Sequence, residues 1–300
     1  MSQKVVSVMA LKNELAVTEL VKNFNHEHTW LQEVPSKPQW VGNDVIKIPL
    51  QGAAPKVLID NKIYPINGSQ REDGHIKISL HKYETENTEV TSEELYALPY
   101  EKVNDVQVQH RETLEDVTAE HALHSITPQN DTAISPVLVT TGPDDGTGRR
   151  RLVTKDLRTL KLKLDKLKVP KKGRVLVLCS DHVDDLLEQD EKFNQRYMNH
   201  EDGAIAAKYY GFKIYENIYA PEFTDAGEKI PYGSSTEGKE ASVCFFAPMT
   251  AKAPGTAERF ALDKTQNPEG RKHVIGFEMH WVCVAIKDEG IAAIRSGKAA

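Results

Sequence analysis

Hydrophobic and polar positions repeat with a different period in each part of the chain, and the clearest pattern lies between Lys171 and Asn217. A turn at Lys172-Gly173 leads into an unbroken apolar run, Val175-Leu176-Val177-Leu178-Cys179. Such a run between turn residues predicts a strand buried on both faces. Ser180 or Asp181 is placed to cap the helix that follows, on which Val183, Leu186 and Leu187 share one face. Gly203 interrupts the chain, Ala204-Ile205-Ala206-Ala207 predicts a short helix, and Gly211 ends it. Phe212, Ile214 and Tyr215 predict a second strand. Upstream, Leu157, Leu160, Leu164 and Leu167 recur at helical spacing from Thr154 to Lys168, and Pro170 closes that helix.

Earlier in the chain, Val8, Leu11, Leu15, Leu20 and Phe24 carry helical spacing through residue 24. From Asn25 to Gln39, two prolines and Trp30 predict an extended arm whose aromatics need a surface to lie on. At Val41 the period changes to two. Val45-Ile46-Lys47-Ile48 and Val57-Leu58-Ile59 read as strands, and Asn67 to Gly74 is turn-rich. Ile76, Ile78 and Leu80 then alternate with His75, Lys77 and Ser79. These segments predict a long hairpin, which buries too little to fold alone. Its bland counterpart is an ordinary surface hairpin. The longest predicted helix runs from Pro99 to Ile126, with Val103, Val106, His110, Leu114, Val117, His121 and Ile126 on one stripe. Ile134 to Thr141 predicts a strand, and GPDDGTGRRR a solvent loop. After Asn217, residues 218–239 read as loop, Ala241 to Phe246 as a strand, 251–269 as irregular, Val274 to Ile286 as strand-rich, and Ile291 to Ile294 as a last strand. The fold class is α+β.

Three hundred residues make one large domain or two moderate ones. No apolar run is long enough to cross a bilayer. The first residues mix charges among apolar positions and show no cleavage signature, so the expectation is a soluble protein made in a cytoplasm. A net charge of −6 argues against a chain built chiefly to grip nucleic acid. Cys179, Cys244 and Cys283 each sit inside an apolar run, which predicts buried, inert thiols. They show no zinc spacing. Gly142 and Gly148 miss the Walker spacing. Asp181, Asp184 and Asp185 share a helix face with His182 beside them, yet a helix N-terminus favours acids for its own dipole. His26 and His28 lack a placed third ligand. No serine stands in a nucleophile elbow. The expectation is therefore no catalytic residue, no metal and no cofactor.

The motifs GRVLVLCSDHVDDLL, a glycine-led element and GFKIYEN, in that order, resemble the central domain of tailed-phage major capsid proteins with the Hong Kong 97-like fold. The set is similar to coat proteins from phages of Bacteroidetes-type hosts. The resemblance covers most of the chain, strongest from Pro136 to Asn217 and at the C-terminus, and weakest before Val41. It implies an N-terminal arm (1–40), an extended hairpin loop (41–90), a peripheral domain with a long spine helix (91–130 and 236–286) and an axial domain (131–235 and 287–300). It implies pentamers and hexamers tiling an icosahedral shell around double-stranded DNA held without sequence specificity, with portal and other virion proteins as partners and no membrane. Two rivals stay open: an encapsulin-like nanocompartment shell and a soluble α/β enzyme.

Charge is segregated around the central unit. Residues 149–174 hold twelve Lys or Arg against Asp156 and Asp165, whereas residues 181–191 hold six acids and no Lys or Arg. One reading is two solvated helix faces. A second is that the basic helix of one subunit meets an acidic surface of the next, fixing register. A third is contact with packaged DNA through phosphate neutralisation. The candidate intersubunit contacts are Trp30 and Trp40 on the arm, Arg71 and Lys77 on the hairpin, Lys161, Lys163 and Lys166 on the basic helix, and Asp184, Asp185 and Glu188 on the acidic one.

Overall fold

A computed structural model describes residues 29–42, 45–50, 60–62, 74–91, 102–198, 205–262, 266, 270 and 272–298. Two 3-10 turns (Thr29–Glu33 and Pro38–Trp40) precede β1 (Val41–Gly42), β2 (Val45–Leu50), β3 (Gly74–Ser79), β4 (His81–Glu84) and β5 (Thr88–Thr91). Helix α1 (Lys102–Ile126) follows, then β6 (Val137–Val139), β7 (Arg149–Arg150), α2 (Thr154–Lys166), β8 (Arg174–Leu178), α3 (Ser180–Gln189) and α4 (Glu191–Met198). The chain continues through β9 (Ala206–Tyr209), β10 (Phe212–Glu216), β11 (Glu222–Phe223), β12 (Lys239–Phe246), β13 (Thr250–Leu262), β14 (Lys272–Ala285), β15 (Ile291–Arg295) and β16 (Gly297–Lys298).

The apolar run 175–179 is buried because it is the middle of a seven-stranded sheet, ordered β6-β15-β12-β8-β10-β9 with β11 beside β12. β8 runs parallel to β10 and antiparallel to β12. Successive side chains of a strand point to opposite faces, so the run divides between two cores. Leu176 and Leu178 join Leu157, Leu160 and Leu164 of α2, Val183 and Leu186 of α3, and Phe193 of α4. Val175 and Val177 join Trp30, Ala119 and Leu123 of α1, Phe245 and Trp281. One face of the sheet therefore carries α2, α3 and α4, and the other carries α1 and the arm segment.

A second sheet is built on the long antiparallel pair β13–β14, with β4 and β5 both pairing along β14. Helix α1 lies on it through Leu114 against Ile275 and Phe277. The hairpin root, β1-β2-β3, pairs Ile46 with Ile78 and Ile48 with Ile76. Ile46 and Ile48 are buried against Leu80, Ala253 and Val282. Val57-Leu58-Ile59 lies outside the described residues, as does the segment 1–24.

Several expectations need correction. The segment expected to be irregular from 251 is the long strand β13. Ala206–Tyr209 is a strand, not a helix: it forms a hairpin with β10 through Tyr210 (φ 48) and Gly211 (φ 91), both left-handed as a tight hairpin turn requires. Helix α4 follows α3 directly, where the linear pattern marks no second helix before Gly203. The start of α3 has no side-chain cap from Ser180 or Asp181. On α1, Val106, His110, Leu114 and Ile126 of the expected stripe are buried, but Val117 is 38% exposed, and Ala119, Ala122 and Leu123 complete the buried face in its place. Finally, β12, expected with the peripheral strands of 236–286, is an inner strand of the seven-stranded sheet.

Candidate assembly surfaces

The arm segment from Thr29 onward does not reach away from its own subunit. Trp30 is 1% exposed and meets Phe245 edge-on at 6.0 Å. Its indole is held in the chain's own core, which removes it from the candidate intersubunit contacts. The backbone of Pro35 and Lys37 bonds that of Lys252 (3.0 and 2.8 Å), and Lys252 Nζ donates to Leu31 O (2.8 Å). Glu33 Oε1 accepts from Lys213 Nζ at 2.6 Å and from Tyr215 OH at 2.8 Å. Burial opposes the Glu33 charge, but the bonds from Lys213 and Tyr215 outweigh it and hold its pKa below the ordinary value. Trp40 is half-buried over the hairpin root, with Lys37 Nζ 5.5 Å from its ring centre.

The basic loop and the acidic helix also meet inside one chain. Arg149 donates to both oxygens of Asp185 (2.8 and 3.0 Å), and its Nε donates to Asp145 at 2.9 Å. Asp181 approaches Arg149 at 3.4 Å. Asp185 Oδ2 further accepts the Leu152 backbone N–H at 2.7 Å. Burial works against the guanidinium charge, yet Asp185, Asp181 and Asp145 keep its pKa above the ordinary arginine value. Arg151 pairs with Glu188, and Gln189 Nε2 donates to Leu152 O at 2.9 Å. Asp185 is 1% exposed, so it too leaves the list of candidate contacts; its carboxylate is saturated within the subunit. Glu188 is exposed but already paired, and Asp184 is exposed. The sequence put Arg149 and Arg151 in a basic run and missed this pairing, because nothing in linear spacing aims the 143–151 loop at α3.

His182, beside these acids, is fully buried between Ser242 Oγ (2.6 Å) and Ser296 Oγ (3.1 Å). Burial pushes its pKa down to about 3. It ties α3 to β12 and the segment after β15 as a neutral ring. All three cysteines are buried, and burial pushes each thiol up to about 12, so none is poised as a thiolate.

Helix α2 turns Leu157, Leu160 and Leu164 inward and leaves Lys155, Arg158, Leu162 and Lys166 outward. Lys161 and Lys163 are half-buried flanks, and Lys163 and Lys166 border a shallow pocket with Asp131 and Thr132. Lys77 is exposed on β3, directly across from Lys47. Arg71 lies outside the described residues.

The arrangement as a whole is shared with several solved capsid structures. The chain is similar to the capsid of Ralstonia phage GP4, with a TM-score of 0.65 and 10% identity over 89% of this chain and 87% of that one. It is similar to the capsid of Cyanophage Pam1 (TM-score 0.61, 10% identity, 92% and 93% covered) and to a structure from Mycobacterium phage Che8 (0.55, 17%, 90% and 88%). The chain has the Hong Kong 97-like capsid fold. No protein-family model matches the sequence, and no curated protein matches it. In this capsid fold the exposed candidates Lys77, Lys166 and Asp184 lie on three separate elements, β3, α2 and α3, and are not gathered into one site.

Proposed function

We propose that the chain is the major capsid subunit of a tailed phage, a structural protein whose copies assemble as pentamers and hexamers into a shell around double-stranded DNA. The observation that carries this reading is the capsid fold itself, matched over about nine-tenths of the chain and of each solved capsid chain. On this reading the seven-stranded sheet with α2 to α4 forms the axial domain, and α1 with β13 and β14 forms the peripheral domain. The hairpin rooted at β2–β3 reaches a neighbour, recovering between subunits the burial it lacks within one. The partners are other copies, the portal and other virion proteins, and DNA contacted through its phosphates. The protein is made in the host cytoplasm and resides in the virion.

The test is expression of the full chain, alone and with its neighbouring phage proteins, followed by electron microscopy and light scattering. Closed shells or five- and six-fold rings are expected. A monodisperse monomer under every condition, including co-expression, overturns the reading.

A further inference from the structure

Asp181 and Asp185 of α3 face Arg149, and Glu188 pairs with Arg151; Asp184 alone is too little to match the basic face of α2, which finds its partner elsewhere or remains solvated. Lys155, Arg158, Leu162 and Lys166 fall three or four residues apart on one stripe of α2. Leu162 is 55% exposed in the middle of the three cations. Among the described residues none of the three pairs with a carboxylate.

On the opposite side of the seven-stranded sheet, between α1 and the loop 219–236, lies a cleft of about 310 Å³. Its walls include Tyr219 and Tyr232, whose rings meet at 5.8 Å and 64°. Its carboxylates are Glu120, which accepts from Tyr232 OH at 3.1 Å, and Glu222, which accepts the Gly238 N–H at 2.7 Å. Each keeps a second oxygen. His124 lines the cleft with its Nε2 2.8 Å from Ile230 O, and burial lowers its pKa from the ordinary histidine value. The neighbouring cation, Lys229, is committed to the carbonyls of His124, in the last turn of α1, and of Thr127, just after it, at 2.9 and 2.8 Å. Beside Tyr219, Ile218 is 90% exposed. The cleft thus offers two carboxylates, aromatic faces suited to an ammonium or guanidinium and an apolar neighbour.

Resting on the shell reading above, we infer that the α2 stripe of one copy docks on this cleft of the next. Arg158 and Lys166 meet Glu120, Glu222 and the tyrosine rings, while Leu162 covers Ile218. The two patches lie on opposite faces of the sheet, so they cannot meet within one chain. Between chains they make a heterologous, head-to-tail contact, the kind that closes into rings. A second copy is favoured over nucleic acid as occupant because the cleft is acidic and the stripe carries an apolar centre matched by Ile218.

The test uses two full-length variants, Arg158→Glu/Lys166→Glu and Glu120→Lys. Each alone should raise the concentration needed for ring or shell formation by roughly tenfold or more, read by light scattering. Mixed one to one, they should again form six-membered rings, in which the two variants alternate and every contact joins opposite charges; a five-membered ring cannot alternate, so six-fold rings are the species read in the mixture. That recovery also shows that both variants are folded. Wild-type-like assembly of either variant alone, loss of DNA content without loss of assembly, or failure of the mixture to recover overturns the contact while leaving the shell reading intact. A wild-type chain that never assembles overturns the shell reading, and this contact with it.

Discussion

Asp185 is the side chain on which the junction between the 143–151 loop and α3 depends, and Asp185→Ala measures that dependence. The substitution deletes two bonds to Arg149 and one to the Leu152 N–H. Removing one partner of a buried ion pair costs about 3–5 kcal/mol, and an orphaned buried N–H adds about 1–3 kcal/mol. Asp145 and Asp181 remain beside Arg149 at 2.9 and 3.4 Å and recover part of this. The expected net loss is about 3 kcal/mol, or a melting temperature lower by about 6 °C in a chain of this size. The control is Arg149→Met combined with Asp185→Leu. It removes both charges together, and its loss should be smaller than that of Asp185→Ala despite changing more atoms. Thermal and urea unfolding of the unassembled subunit read both. The reasoning is refuted if Asp185→Ala melts within a degree of the parent, or if the double variant is the less stable of the two.

Acid should loosen the junction between α1, β4 and the 229–232 loop. His121 accepts or donates at Tyr83 OH (2.6 Å), faces the rings of His81, His124 and Tyr232, and has Lys229 nearby. Burial first, then the positive charges of its neighbours, pushes its pKa down from 6.5 to about 4. The unfolded chain therefore binds the proton first. The stability contributed by neutral His121 is full above pH 6.5 and is lost as pH falls from 6.5 toward 4. The ring is only partly buried, so solvent screening reduces the loss to about 1 kcal/mol. His121→Gln, which can keep the Tyr83 bond, should move the acid-unfolding midpoint to lower pH; an unmoved midpoint contradicts the assignment. Leu176→Ala, in the fully buried centre of β8, should cost about 2–5 kcal/mol in urea unfolding, and a loss under 1 kcal/mol would mean the helix-covered core can collapse around it. Gly211→Ala separates backbone strain from crowding: a Cβ there meets nothing closer than Lys161 Cε at 3.9 Å. Its cost of about 1–2 kcal/mol should thus come from the left-handed φ alone, and Gly211→Asn should recover part of it.

What could be read from the linear pattern is what local periodicity controls. The run Val175–Cys179 reads as doubly buried because two cores flank it, and Leu157, Leu160 and Leu164 read as a helix face because they are one. The failures have physical causes. β13 carries Pro254 and Gly255, which break a strand signal; an edge strand tolerates both, and its register shifts between Pro254 and Ala257. The alanines of β9 favour a helix intrinsically, but pairing with β10 overrides propensity. α4 has a single fully buried anchor, Phe193, too little to show a period. Trp30 looked exposed because its partners, Phe245 and α1, lie far along the chain. The candidate site fared worst. The charge runs were legible, but whether Arg149 reaches Asp185 in its own chain or an acid in another is decided by loop geometry that no spacing encodes.

Strand β15 sits between β6 and β12, parallel to the first and antiparallel to the second. The sheet therefore has a vacancy at an inner position until residues 291–295 have left the ribosome. A nascent or prematurely terminated subunit lacks the strand that joins β6 to the rest, and both facing strand edges stay unpaired. Such a chain is a poor building block and a ready target for proteolysis. The order of the strands thus sets an order of assembly: β6, although made before β8 and β12, joins their sheet only once β15 has been made.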